Sequence, residues 1–313
     1  MIIKTNKQLS DLTGSWYESN NFDKIRQDIE LETEDLAKII GDDIIDNGIA
    51  ILDKSDPSPA ELKLLQRIQL PIALMATYRY YQSNIVSHDQ STRKIKIDSE
   101  NEKLPWEWML DRDDDAHLSK AQRAVDRLIK YLEDSDNSDW KNSDYKKASK
   151  SLFVNNTDVF GEYYPIDNSA RFYYLATPLL REVQTNELKD ALGSDYIKLL
   201  EDFQAGQLTE YQNELLDHTR RAQTLLTISL AVKRLNIKVL PEGVVKAVKS
   251  ERSTVNASRP ADVNEIAYFS KRLTADAERY LDKIKRLRYR NSSEYLDYQL
   301  IPKNDPKNKF ART

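Results

Sequence analysis

The densest potential chemistry in the chain is Asp111-Arg112-Asp113-Asp114-Asp115, where four carboxylates offer the hard oxygen donors a divalent cation prefers. The run lacks the inner glycine and closing glutamate of a calcium-binding loop. As a solvated loop just ahead of a helix, it would instead sit favourably in the field of the helix N-terminus. The role of Asp111, Asp113, Asp114 and Asp115 therefore stays open between these readings. Three histidines, His88, His117 and His218, stand far apart and outside any His-Glu-x-x-His pattern, so a metal site made from them would need distant folding contacts. Among seven glycines there is no Gly-x-Gly-x-x-Gly or Gly-x-x-x-x-Gly-Lys run that would bring backbone amides up to a phosphate. Serines and acids occur without the Gly-x-Ser-x-Gly turn that exposes a nucleophile. Cysteine is absent, which removes thiolates and disulfides. The expectation is a chain that is not an enzyme, with no catalytic, cofactor-binding or metal-binding residues and no cofactor.

Charge offers a different kind of candidate. Residues 283–313 carry nine Lys/Arg against three Asp/Glu, so a basic end of +6 follows a body of -10. Arg286, Arg288, Arg290, Lys303, Lys307, Lys309 and Arg312 supply the cations, and Tyr295, Tyr298 and Phe310 add apolar anchors that a purely electrostatic arm does not require. These ten residues form the candidate partner-binding set, for a neighbouring protein or for nucleic-acid phosphates, against the alternative of a solubilising tail. Trp106 and Trp108, following Pro105, are expected to anchor their loop on the folded body. No run approaches eighteen apolar residues and Met1 to Lys7 has no signal-peptide block, so neither membrane insertion nor secretion is expected, and a reducing cytoplasm is the natural compartment.

Helices must position all of this, because apolar residues recur at three- and four-residue spacing. Ser58-Pro59-Ala60-Glu61 is a capping box with proline at the first helical position, and it opens a stripe of Leu65, Ile68, Ile72 and Met75 that Pro71 should kink. A second long helix is expected from about Leu208 to Leu235, with Ala222 in place of Pro71. Each is followed by an extended, turn-rich segment, around 85–97 and 237–245, read as a β-hairpin. Each unit then closes with another helix, striped by Leu118, Ala121, Val125, Leu128 and Leu132, or by Ile266, Phe269, Leu273, Ala277, Leu281 and Ile284.

The same fold is thus written twice. Leu36, Gly41, Asp43 and Ile45 return as Leu188, Gly193, Asp195 and Ile197, 152 residues later. Gly41 and Gly193 both follow an apolar helical turn, where a left-handed cap favours glycine. The predicted fold is mainly α, with two tandem homologous helical bundles, each carrying a β-hairpin excursion, and an extended C-terminal arm. Its divisions are an N-terminal segment (1–21), repeat 1 (22–150), a linker (151–168), repeat 2 (169–290) and the basic arm (291–313).

The segments Leu36 to Ile45, Leu64 to Tyr81, Ser169-Ala170-Arg171-Phe172-Tyr173-Tyr174-Leu175, Leu188 to Ile197, Gly243-Val244-Val245 and Ala261 to Leu287 resemble head-to-tail connector (adaptor) proteins of tailed bacteriophages. More closely, the chain is similar to duplicated proteins from phages and prophages of Bacteroides-type bacteria. The resemblance implies a virion protein, assembled in the host bacterial cytoplasm. It implies a homo-oligomeric ring, usually of twelve subunits, docked beneath the capsid portal and touching other tail or ring proteins. DNA would pass through its channel without specific binding, and no catalytic residue is carried over. A metal-dependent nuclease using the aspartate cluster, and a cellular helical-repeat adaptor, are the other two readings.

Overall fold

The computed structural model describes residues 1–85, 87–88, 93–94, 106–135, 137–235 and 263–293. The chain is predominantly helical. In order the helices are α1 (Asn6–Thr13), α2 (Arg26–Ile40), α3 (Asp42–Leu52), α4 (Pro59–Ser83), α5 (Glu107–Asp134), α6 (Ser138–Asn142), α7 (Asp144–Lys150), α8 (Thr157–Tyr163), α9 (Ala170–Val183), α10 (Lys189–Leu192), α11 (Asp195–Ala205), α12 (Glu210–Arg234) and α13 (Val263–Arg290). A 3₁₀ turn, Phe22–Lys24, precedes α2, and a π turn, Gln184–Leu188, joins α9 to α10.

The duplication is visible in helix lengths. Helices α3, α4 and α5 have 11, 25 and 28 residues, and α11, α12 and α13 have the same three lengths. Both 25-residue helices begin with a capping box, which satisfies two otherwise orphaned amides. In α4, Glu61 N donates to Ser58 Oγ at 3.3 Å and Ser58 N donates to Glu61 Oε2 at 2.8 Å. In α12, Gln212 N donates to Thr209 Oγ1 at 3.2 Å and Thr209 N donates to Gln212 Oε1 at 2.9 Å. Pro71 lies buried within α4, and the helix is continuous on either side of it.

Each long helix pairs with the one that closes its half. Arg67 Nη1 donates to the Arg127 carbonyl near one end of α4 and Gln82 bonds Asp114 near the other, so α4 and α5 run antiparallel. Ser229 with Ser270, and His218 against Tyr280, make α12 and α13 antiparallel in the same way. The second pair is held by buried hydroxyls, with Ser229 Oγ 2.7 Å from Ser270 Oγ and 3.0 Å from Thr274 Oγ1. The first pair instead meets through the small residues Ala121 and Ala124 against Leu74.

Two expected divisions do not hold as separate pieces. Residues 1–21, expected as a mere N-terminal segment, place Ile2, Ile3, Leu9 and Trp16 in the main core. Gln69 Nε2 donates to the Ile2 carbonyl at 2.8 Å, and Gly48 lets Ile2 and Ile68 close in, since a Cβ there would stand 3.0 Å and 3.1 Å from their Cδ1 atoms. Residues 151–168, expected as a linker, bury Leu152, Phe153, Val154, Phe160 and Ile166. Leu152, Val154, Phe160 and Ile166 share a core with Tyr173, Tyr174, Ile228 and Leu273, which joins the two halves, while Phe153 packs in a second cluster with Leu188, Leu215 and Ile284.

The backbone of the joining segment is gripped by side chains. Gln184 Oε1 accepts from Phe153 N at 3.0 Å, and Gln223 Oε1 accepts from Val154 N at 3.1 Å. Gln184 Nε2 donates to Ser151 O at 2.8 Å, Arg220 Nε to Phe153 O at 2.8 Å, and the Tyr173 hydroxyl to Val154 O at 3.0 Å. Gln223 Nε2 also donates to Gln184 Oε1, at 3.0 Å, and to Leu180 O, at 3.1 Å.

The β-hairpin excursions are not supported. Among the described residues the extended pairing amounts to Ser87 with Lys94 and His88 with Arg93, and the second expected hairpin, 237–245, lies outside the described residues.

Replacing Gln223 by leucine leaves the Leu180 carbonyl its backbone bond from the Gln184 amide but strands the Val154 amide in the core. A buried polar group without a partner costs about 1–3 kcal/mol. Urea unfolding of Gln223→Leu should show a loss of about 1–3 kcal/mol, and a loss below about 0.5 kcal/mol, the size of a neutral surface change, would refute the clamp.

Candidate partner-binding surfaces

The ten residues proposed for partner binding separate into three groups. Arg286 and Arg290 are exposed on the last turns of α13 and can meet a partner. Arg288 is turned inward: its Nη1 donates to Ala191 O at 2.9 Å, its Nη2 to Ser194 Oγ at 3.3 Å and its Nε to Asp195 Oδ2 at 3.3 Å. It therefore caps the Ala191 carbonyl at the C-terminus of α10 and is a structural residue, a correction to the expected role. Tyr295, Tyr298, Lys303, Lys307, Lys309, Phe310 and Arg312 lie outside the described residues.

The two repeat glycines do have positive φ, but neither adopts the left-handed helical well. Gly41 has φ 96° and ψ 148°, and Gly193 has φ 48° and ψ -123°. At Gly193 a Cβ would also stand 2.7 Å from Arg288 Nη2, so the missing side chain makes room for the guanidinium.

The aspartate cluster lies within the helix and not in a loop before it, because α5 already starts at Glu107. A helix turns by about 100° per residue, which fans neighbouring carboxylates around the axis. Asp111, Asp113 and Asp115 are exposed, Asp114 accepts from Gln82, and Asp113 Oδ2 stands 3.8 Å from His117 Nε2. No three His, Asp or Glu side chains converge among the described residues. His218 lies 3.7 Å from Asp217 and packs against Tyr280, and burial lowers its pKa.

The tryptophans overturn the expectation that they anchor a loop. Trp106 is 72% exposed, Trp108 56% and Met109 44%, with Ile85 at the end of α4 also exposed. The reason is geometric: α4 stops at Ser83, and Gln82 already faces Asp114, so the first turns of α5 have no turn of α4 opposite them. Large aromatic side chains left in water beside charged ones are the composition of protein contact surfaces.

A cleft of about 190 Å³ opens between α2, α4 and α5, lined in part by Glu32, Ile39, Ile72, Met75, Arg79 and Arg171. Arg79 Nε donates to Glu32 Oε1 at 3.3 Å, while burial raises the Glu32 pKa in spite of that partner. Beneath it, Asp126 joins the two halves by accepting from Arg171 N at 2.8 Å and Ser169 Oγ at 3.1 Å, and burial likewise raises its pKa. These groups tie helices together.

Fold and surface together define a duplicated helical bundle with aromatic and charged ends. The chain belongs to a family of unknown function (DUF6712), whose profile matches residues 14–150 and 176–308, one segment in each half. No curated protein and no solved structure matches it.

Removing the cap with Arg288→Ala should cost about 1–3 kcal/mol, as for a charged hydrogen-bond donor, whereas Arg286→Ala and Arg290→Ala should stay within about 0.5 kcal/mol when their unfolding is compared. Asp126 binds its proton more tightly folded than unfolded, so its contribution to stability grows as pH falls through the raised folded pKa toward the ordinary value of 3.8. Relative to Asp126→Asn, the wild type should therefore gain stability on acidification through that window, and a difference that stays flat or moves the other way would refute the assignment.

Proposed function

We infer that this chain is a structural virion protein, a head-to-tail connector subunit that assembles into a ring beneath a capsid portal. The observation that carries the reading is the exposed Trp106, Trp108 and Met109 face on a rigid, duplicated helical scaffold. The scaffold supports it because buried Gln184, Gln223 and Ser229 spend their polar groups on holding segments of the chain together, leaving the exposed ends to meet partners. The sequence resemblance supports it independently. A predominantly acidic body also suits a channel past which DNA slides without sticking.

Mass measurement and particle imaging of the purified chain, alone and with its portal, test the reading. A closed ring or a portal-bound ring is expected. A chain that remains monomeric at tens of micromolar and does not bind the portal would overturn it.

A further inference from the structure

The opposite end of the α4/α5 pair carries the complementary surface. A depression of about 630 Å³ is lined by Lys63, Arg67, Arg127, Lys130 and Tyr131, with Asp134 and Ser135 at its edge. Four cations thus face one carboxylate, on a chain whose formal net charge is -4. Their positions are held. Arg67 Nη1 donates to Arg127 O at 3.2 Å, the Arg67 guanidinium stands 4.9 Å from the Tyr131 ring centroid, and the Lys63 ammonium stands 5.5 Å from the same centroid. Lys130 is shared between Asp158 at 2.8 Å and Asp134 at 3.5 Å. Among the described residues Lys63, Arg67 and Arg127 form no ion pair, so a concentration of like charge is left for something else to neutralise.

We propose that this depression seats the tryptophan-led start of α5 from a second copy of the chain. Three properties choose that occupant. The first is charge: Asp111 and Asp115 stand exposed one and two turns beyond the tryptophans, opposite in sign to the cations. The second is chemistry: tryptophan is the best aromatic face for a guanidinium or ammonium, and tryptophan and arginine are the residues that dominate interface energetics. The third is distance. Asp111 and Lys130 lie on the same unbroken helix, and at 1.5 Å per residue they are about 28 Å apart. A rigid helix cannot fold its start onto its own end, so complementary surfaces at its two ends can meet only between copies. Such a contact is heterologous, the kind that closes into a ring or propagates as a filament. The inference rests on the connector reading in naming which surfaces of that ring touch.

Sedimentation velocity of the full chain tests it, with helical content and melting temperature checked for each variant. Lys63→Glu with Arg127→Glu, or Asp111→Lys with Asp115→Lys, should each weaken self-association at least about tenfold, and Trp106→Ala with Trp108→Ala should do the same. The chain carrying all four charge reversals should regain most of the lost association, because both signs are exchanged. If the wild type assembles and the reversals leave its association unchanged, or the fourfold reversal restores nothing, this interface is wrong and the connector reading survives. If the wild type never self-associates, both fall. If a short DNA duplex binds the wild type and Lys63→Glu with Arg127→Glu abolishes that binding while assembly persists, the depression takes phosphates and the proposal is overturned.

Discussion

The arrangement of the whole chain depends on one buried contact, the pair of glutamines Gln184 and Gln223 that hold each other and the irregular segment 151–154. Both are almost completely inaccessible, and between them they satisfy the amides of Phe153 and Val154 and the carbonyls of Ser151 and Leu180. An irregular segment run through a helical interior has no regular pattern of backbone bonds to satisfy it, and each unpaired amide or carbonyl would otherwise oppose burial. The glutamines act in place of that missing pattern. Because they hang from the π turn and from α12, they also fix how the second half meets the join.

With the join internal, the two halves behave as one body. Helices α4 and α12 sit at the centre and bury residues around much of their circumference, while α5 and α13 pack alongside as long antiparallel partners. Helix α5 has a second duty, since Asp126 and Glu133 on it reach Arg171 and Tyr174 of α9. It is both the closing helix of one repeat and the floor of the next. This leaves the two extremities of the α4/α5 pair as surfaces with few internal duties, one acidic and aromatic, the other cationic.

Much of the helical plan was legible in the residues themselves. Ser58 and Glu61 announce the start of α4, and the stripes through Leu65, Ile68 and Ile72, or Leu273, Ala277 and Ile284, are buried in the folded chain. These are local signals of period and cap chemistry, which a helix needs regardless of its neighbours. The second capping box at Thr209 and Gln212 was equally local, and the match to Ser58 and Glu61 would have located the start of α12 to the residue. The candidate site was less legible. Arg288 reads as one more cation in a basic run, and its inward turn exists because Gly193 and the end of α10 happen to receive it.

From the linear chain alone came the helical class, the duplication and the separation of acidic body from basic end, since each depends on composition and short-range spacing. Tertiary structure alone decided the rest. The connection's Leu152-Phe153-Val154 became core with its backbone satisfied because Gln184 and Gln223, 39 residues apart, converge on it. Two tryptophans that hydrophobicity would bury stand in water because α4 ends before it can cover them. Cations 60 residues apart share one depression because two helices run antiparallel. Burial and charge clustering are properties of what lies opposite a residue, and spacing along the chain does not encode that.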